Sequence, residues 1–270
     1  SLGLAIKEKY PEIEIIGIGR NLERLKLAKQ KGCIDRFTTD LKQGVKNSDI
    51  VIVSTVVSVI DKIIISILPF VKNNCLITDV GSIKYKIIKS INKELKKYKN
   101  LKNINFIGSH PIAGREKTGV EFAKNDLFKN SVCVICYNDK MVNKDALEKI
   151  KFLWETVGAK IVRLDAKKHD RILAATSHFL HIISYLLTKQ INSRKEFINF
   201  VGGAYRDMTR IAASNPQLWS EICFINKTYV SQEIKKFVKQ LNKLLKIINN
   251  FEKLNKFLEK CYELKIKYQK

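Results

Sequence analysis

From about residue 13 to residue 165 the chain alternates short apolar runs with helix-patterned stretches, and no other feature constrains its fold as strongly. The runs are EIIGI, DIVIVST, CLITDV, INFIGS, SVCVICY and AKIVRL. Between them lie NLERLKLAKQKG, SVIDKIIISILPFV, YKIIKSINKELKKY and KDALEKIKFLWETVG. Buried strands of a parallel sheet read as nearly continuous apolar runs, because helices cover both faces. The alternation therefore predicts an α/β fold, a Rossmann-type doubly wound and mostly parallel sheet. Beyond residue 165 the strand-like runs stop. HDRILAATSHFLHIISYLLTKQI and the long stretch from PQLWSEICFINK to the C-terminus are helical throughout. Two domains are expected: residues 1–165 with the doubly wound sheet, and residues 166–270 as an all-helical part whose long helices pack on each other or on a partner chain.

The stretch EIEIIGIGRNLERL raises the question of a glycine loop. Gly17 and Gly19 follow an apolar run, but position 22, where a third glycine would complete the fingerprint, is Leu22. In a dinucleotide fold the order is strand, glycine loop, helix, strand. SLGLAIKEKY has the pattern of that first helix, which makes EIIGI the second strand. Its end, Gly19-Arg20-Asn21, then meets the adenosine ribose. The first strand and the glycine loop are expected upstream of Ser1, and their loss should leave two unpaired strand edges. A second strand that prefers NAD usually ends in a carboxylate for the ribose hydroxyls. Arg20 and Asn21 stand there instead, which favours NADP over NAD.

The formal charge is +24, from 50 Lys and Arg against 26 Asp and Glu. The lysines are scattered over helix faces without interleaved aromatics, so we read them as solvated faces and expect no nucleic-acid partner. No apolar run reaches the roughly 18 residues of a membrane span, so no membrane partner is expected. The six cysteines are dispersed, which fits reduced thiols in a cytoplasmic protein. Cys133 and Cys136 form a C-x-x-C, but on a strand they point to opposite faces and share no metal.

The four histidines fall in two segments, GSHPIAG with His110 and HDRILAATSHFLH with His169, His178 and His181. GSHPIAG and TDVGSIK each follow a strand run, so His110 and Ser82 belong to the C-terminal edge where open α/β sheets bind ligands. His178 and His181 are one helical turn apart and share a face; without an acidic third ligand we expect no metal. In GGAYRDMTRIAASNPQLW, Arg206, Asp207 and Arg210 lie at helical spacing, a cationic face with its own carboxylate, suited to gripping a substrate carboxylate.

Taken together, SLGLAIK, GCID, TDVGSIK, GSHPIAGREKTGVEFA, GAKIVRLDAKKHDRILAATSHFLH and YRDMTRIAASNPQLW resemble the prephenate/arogenate dehydrogenase family over essentially the whole chain. The resemblance implies oxidative decarboxylation of prephenate, or of arogenate, with hydride transfer to NADP or NAD in tyrosine biosynthesis, by a homodimer formed through the helical domain. A catalytically inactive family member is the other alternative. By resemblance, His110 takes the proton of the ring hydroxyl and Ser82 orients histidine, hydroxyl and nicotinamide. Arg210 binds a substrate carboxylate with Asp207 behind it, while His181 binds from the helical domain and His178 shapes the same wall. Glu116 stands at the pocket rim, and His169 is equally readable as a structural residue at the start of its helix. Ser1, Leu2, Arg20, Asn21, Ser54, Thr55, Asp79 and Ser82 make up the expected cofactor-binding set.

Overall fold

The structure is a computed structural model that describes residues 1–98, 103–114 and 119–267. The first helix, α1 (Leu2–Lys9), and the strand β1 (Ile16–Ile18) are followed by α2 (Leu22–Gln30), β2 (Arg36–Thr38), α3 (Leu41–Val45) and β3 (Ile50–Val53). The alternation continues through α4 (Ile60–Ile67), β4 (Leu76–Asp79), α5 (Tyr85–Leu95), β5 (Asn105–Pro111), β6 (Val132–Cys136), α6 (Lys144–Thr156) and β7 (Lys160–Arg163). Several helix starts are written locally. Asn21, Asp40, Asn143 and Asp165 each precede a helix and accept hydrogen bonds from its first free N–H groups.

The strands form two sheets. β1 pairs in parallel with β2, and the second sheet runs β3-β4-β5-β6-β7. Among the described residues β1 bonds only to β2 and β3 only to β4, so each keeps one free edge. All pairings are parallel except β5 with β6, which makes the larger sheet mixed. β2 was not among the runs read from the sequence, because its three residues carry too little apolar pattern.

Two cores cover the two faces of the larger sheet. One packs Ile60, Ile64 and Ile67 of α4 and Ile87, Ile88 and Ile91 of α5 against Val51, Val53, Ile77, Phe106 and Val134. The other packs Ala5 and Ile6 of α1 and Ile150, Leu153 and Trp154 of α6 against Leu76, Ile107 and Ile135. Cys136 belongs to the first core and Cys133 to the second, so the two thiols do lie on opposite faces of β6. Burial pushes each thiol up to about 12, which keeps both protonated and unreactive.

After β7 come α7 (Ala166–Leu173), a π turn at Ala174–His178, and α8 (Phe179–Asn192). Then follow α9 (Gly203–Thr209), a 3₁₀ turn at Arg210–Ala213, and α10 (Pro216–Ile225) with Asn215 as its cap. These helices start at Ala166, yet by packing they belong with the sheets: Ser1–Asn226 is one compact unit and Lys227–Lys270 a second. Ile222 of α10 is buried in the α4/α5 core, and Glu221 accepts a 3.4 Å hydrogen bond from the Ser58 N–H. The second unit contains α11 (Lys227–Ile247) and α12 (Phe251–Lys267), the latter capped by Asn250. Among the described residues no helix is long and apolar enough to cross a membrane.

Candidate active site

His110 sits inside β5, one residue before its end, where the larger sheet meets α7. The sequence placed it at the C-terminal end of this strand, and β5 runs on to Pro111 because β6 pairs with it from Gly108 to Pro111. A polar core below the histidine holds the strand in place. Ser109 Oγ lies 2.8 Å from Thr78 Oγ1 and accepts a 3.0 Å bond from the indole N–H of Trp154, which is fully buried.

His110 is 9% exposed, and its Nδ1 is 2.9 Å from Nε2 of His169, a fully buried residue of α7. His169 Nδ1 in turn lies 2.8 Å from Asp170 Oδ1. Burial, with His169 and the Lys84 ammonium nearby, holds the His110 imidazole well below its ordinary value of 6.5. It is therefore neutral at pH 7 and able to accept a proton. His169, readable from sequence as a mere structural residue, is the direct partner of His110. The only hint in the sequence is its place in a cluster of histidines, since the contact spans 59 positions.

The β4–α5 loop carries Ser82. Asp79 and Gly108 are register partners on adjacent parallel strands, so Ser82 and His110 leave the same sheet edge three and two residues further on. Ser82 is half-buried. Asp79, expected to meet the cofactor, is fully buried instead. It pairs with the equally buried Lys84 and accepts a 2.8 Å bond from the Gly81 N–H, so it shapes the turn from within. Burial raises the Asp79 carboxyl, and Lys84 opposes that rise.

Ser54 and Thr55 lie exposed just past β3, and Arg20 lies exposed just past β1. Asn21 caps α2 through a 3.0 Å bond from the Arg24 N–H. Ser1 precedes α1 and accepts a 3.1 Å bond from the Lys124 N–H, while Leu2 packs on the α1/α6 core. Glu116 lies outside the described residues.

The wall beyond β5 is helical. The π turn inserts one residue into the α7–α8 run, and such bulges re-aim the side chains that follow. His178 points inward, 1% exposed, and its Nδ1 accepts a 3.0 Å bond from Asn226 Nδ2, which also donates to the Asp170 carbonyl at 2.8 Å. Desolvation brings His178 down to about 4, so it too is neutral. His181 is half-buried and donates from Nδ1 to the Ser177 carbonyl at 3.0 Å, which leaves Nε2 available to a ligand. Trp219 meets both rings, stacked on His181 and edge-on to His178. Arg210 begins the 3₁₀ turn after α9, and its charge helps lower the His181 imidazole, behind the larger effect of burial. Arg206, Asp207 and Arg210 are exposed, so the cationic face is open to solvent and not a closed pocket.

Comparison with known proteins identifies the family and the fold. Residues 2–163 match the family model described as the prephenate dehydrogenase nucleotide-binding domain, and residues 165–261 match its dimerization domain. The chain is 31% identical to the prephenate dehydrogenase of Bacillus subtilis over 265 residues, covering 95% of this chain and 69% of that one. It is 33% identical to the Lactococcus lactis enzyme of the same name over 249 residues, covering 90% and 66%, so it spans about two thirds of these relatives. Among solved structures, prephenate dehydrogenase from Aquifex aeolicus, in complex with hydroxyphenyl propionate and NAD+, superposes with a TM-score of 0.89 at 27% identity, covering 98% of this chain and 93% of that one. A fold, a histidine-bearing strand edge and two matched domain models converge, and the chain belongs to the prephenate dehydrogenase family.

Proposed function

We propose that the chain oxidises prephenate to 4-hydroxyphenylpyruvate and carbon dioxide, with a nicotinamide dinucleotide as hydride acceptor. The observation that carries this is the buried, neutral His110 at the C-terminal edge of β5, next to the strand that delivers Ser82. The residues along that edge suit the dinucleotide: Ser54 and Thr55 past β3 and Ser82 past β4 are accessible hydroxyls at successive strand ends. When bound, the nicotinamide supplies the hydride acceptor. His110 accepts the ring hydroxyl proton as the hydride leaves the carbon that bears it. Loss of the ring carboxylate as carbon dioxide returns an electron pair to the ring and its oxygen, which takes the proton back from His110. The step therefore releases no net proton, and aromatisation drives it.

The substrate is a dianion. Arg210 takes one carboxylate, with Asp207 orienting it, and His181 Nε2 with the Trp219 face forms the helical wall beside His178. Prephenate is favoured over arogenate here on the names of the Bacillus subtilis and Lactococcus lactis relatives; a cyclohexadienyl dehydrogenase from Zymomonas mobilis is 32% identical over 215 residues, so arogenate belongs in the assay. Arg20 at the end of β1 provides a cation for a 2′-phosphate, which makes NADP the preferred cofactor. Residues 1–165 form the nucleotide-binding part. Residues 166–270 form the substrate and dimerisation part, whose long helices leave Leu245, Phe251 and Tyr262 at least two-thirds exposed in a single chain.

The test is prephenate- and arogenate-dependent reduction of NAD and NADP by the chain, with His110→Asn and Arg210→Gln beside it. Turnover lost in His110→Asn and a raised KM in Arg210→Gln are expected. A folded protein that turns over neither substrate overturns the reading.

A further inference from the structure

The carboxylate of Asp170 is buried, 3% exposed, and both its oxygens are engaged. Oδ1 accepts from the Lys84 N–H at 2.8 Å and lies 2.8 Å from His169 Nδ1; Oδ2 accepts from the Tyr85 N–H at 3.0 Å. Lys84 and Tyr85 open α5, and that helix has no side-chain cap of its own. An acid 86 positions away in sequence supplies the cap and meets the positive end of the helix. The same acid sets the hydrogen-bond polarity of everything beyond it. An ionised carboxylate only accepts, so His169 Nδ1 carries a proton. In the neutral ring Nε2 then holds the lone pair, and the 2.9 Å contact is made by a proton on His110 Nδ1.

We propose that Asp170 and His169 are positioning residues that hold His110 in the tautomer with Nδ1 protonated and the lone pair on Nε2, and that Asp170 locks this orientation to the start of α5, the helix reached through the Ser82 loop. This rests on the reading of His110 as the group that takes the hydroxyl proton. One carboxylate thereby keeps the two elements of the site, the end of β5 and the β4–α5 loop, in a single hydrogen-bonded frame. The Asn226 amide holds the backbone of Asp170 from the far side, through its carbonyl.

The arrangement makes a distinction that a purely structural role does not. In Asp170→Asn the amide N–H₂ can donate to His169 Nδ1, which reverses every bond in the chain and puts a proton on His110 Nε2. In His169→Gln the carboxamide oxygen can still accept from His110 Nδ1, whereas His169→Phe keeps the ring volume and removes the acceptor.

The experiment is ¹⁵N NMR of the imidazole nitrogens in the histidine-labelled full chain at pH 7.5, with His110→Asn identifying the His110 signals and steady-state kinetics run on the same samples. Expected are a protonated Nδ1 and an unprotonated Nε2 on His110, reversed in Asp170→Asn. In kinetics, kcat should fall on the order of 10²–10³-fold in Asp170→Asn and His169→Phe with little change in KM, and His169→Gln should recover at least about tenfold over His169→Phe. A wild-type His110 protonated at Nε2, or a kcat in His169→Phe equal to wild type, overturns the proposal while leaving the dehydrogenase reading intact. Should the folded wild type turn over no substrate, that reading fails, and the tautomer spectrum still decides this one. If His169→Phe does not fold, the wild-type and Asp170→Asn spectra decide alone.

Discussion

His181 lies flat on Trp219, with ring centroids 3.3 Å apart and planes 18° from parallel. Trp219 thus fixes the His181 ring, whose Nδ1 is held by the Ser177 carbonyl, and it also braces His178 at 6.2 Å. Stacked aromatic pairs contribute about 0.5–1.5 kcal/mol beyond the area they bury. Trp219→Leu should therefore raise the KM for prephenate by about tenfold with a smaller effect on kcat, and Trp219→Phe should fall between. Steady-state kinetics on the two variants check this; an unchanged KM in Trp219→Leu contradicts it.

Stability should fall as pH drops below 6.5. His110 and His178 are both depressed by burial, His178 to about 4, whereas in the unfolded chain each titrates near 6.5. Below 6.5 the unfolded state binds more protons, so stability present above that pH is lost on acidification. His178 alone accounts for about 3 kcal/mol by pH 4. Urea midpoints at pH 7.5, 6.0 and 5.0 should decline in that order, and His178→Asn should flatten the decline.

Removing one partner of the buried Lys84–Asp79 pair leaves a charge with no compensation. Lys84→Met should cost about 3–5 kcal/mol at pH 7, and Lys84→Met with Asp79→Asn should recover part of it. Because burial already raises the Asp79 carboxyl, the single variant's deficit should shrink at lower pH as the acid takes a proton. Thermal melts of both variants at pH 7.5 and 5.5 measure this.

Gly3 is needed for space. A methyl group there would overlap the backbone carbonyl of Cys33, where α1 passes the turn leading into β2, and backbone cannot step aside as a flexible side chain can. Gly3→Ala should destabilise by about 1–3 kcal/mol. Gly114, with open space around its Cα, is the control, and Gly114→Ala should leave the melting temperature nearly unchanged.

Much of this protein is legible residue by residue. The apolar runs became strands, the helix-period stretches became helices, with the short α3 not among them, and Cys133 and Cys136 fell on opposite faces, because strand and helix periods are set by local backbone sterics. The caps at Asp40, Asn143, Asp165 and Asn215 are equally local, each acting within three residues of itself. The concentration of histidines and the motifs around His110 and Ser82 pointed to the sheet edge, since the C-terminal ends of parallel strands follow from chain order alone.

Tertiary structure decided the rest. No spacing in the sequence encodes that Asp170 caps a helix 86 residues earlier, that His169 reaches His110, or that Trp219 stacks on His181. It likewise decided that Asp79 turns inward to Lys84, that β6 runs antiparallel to β5, and that α7 to α10 pack into one unit with the sheets. Each depends on how whole elements dock, and docking is governed by burial summed over two faces of a sheet. Local patterns say which residues seek burial; only the packed molecule says against whom.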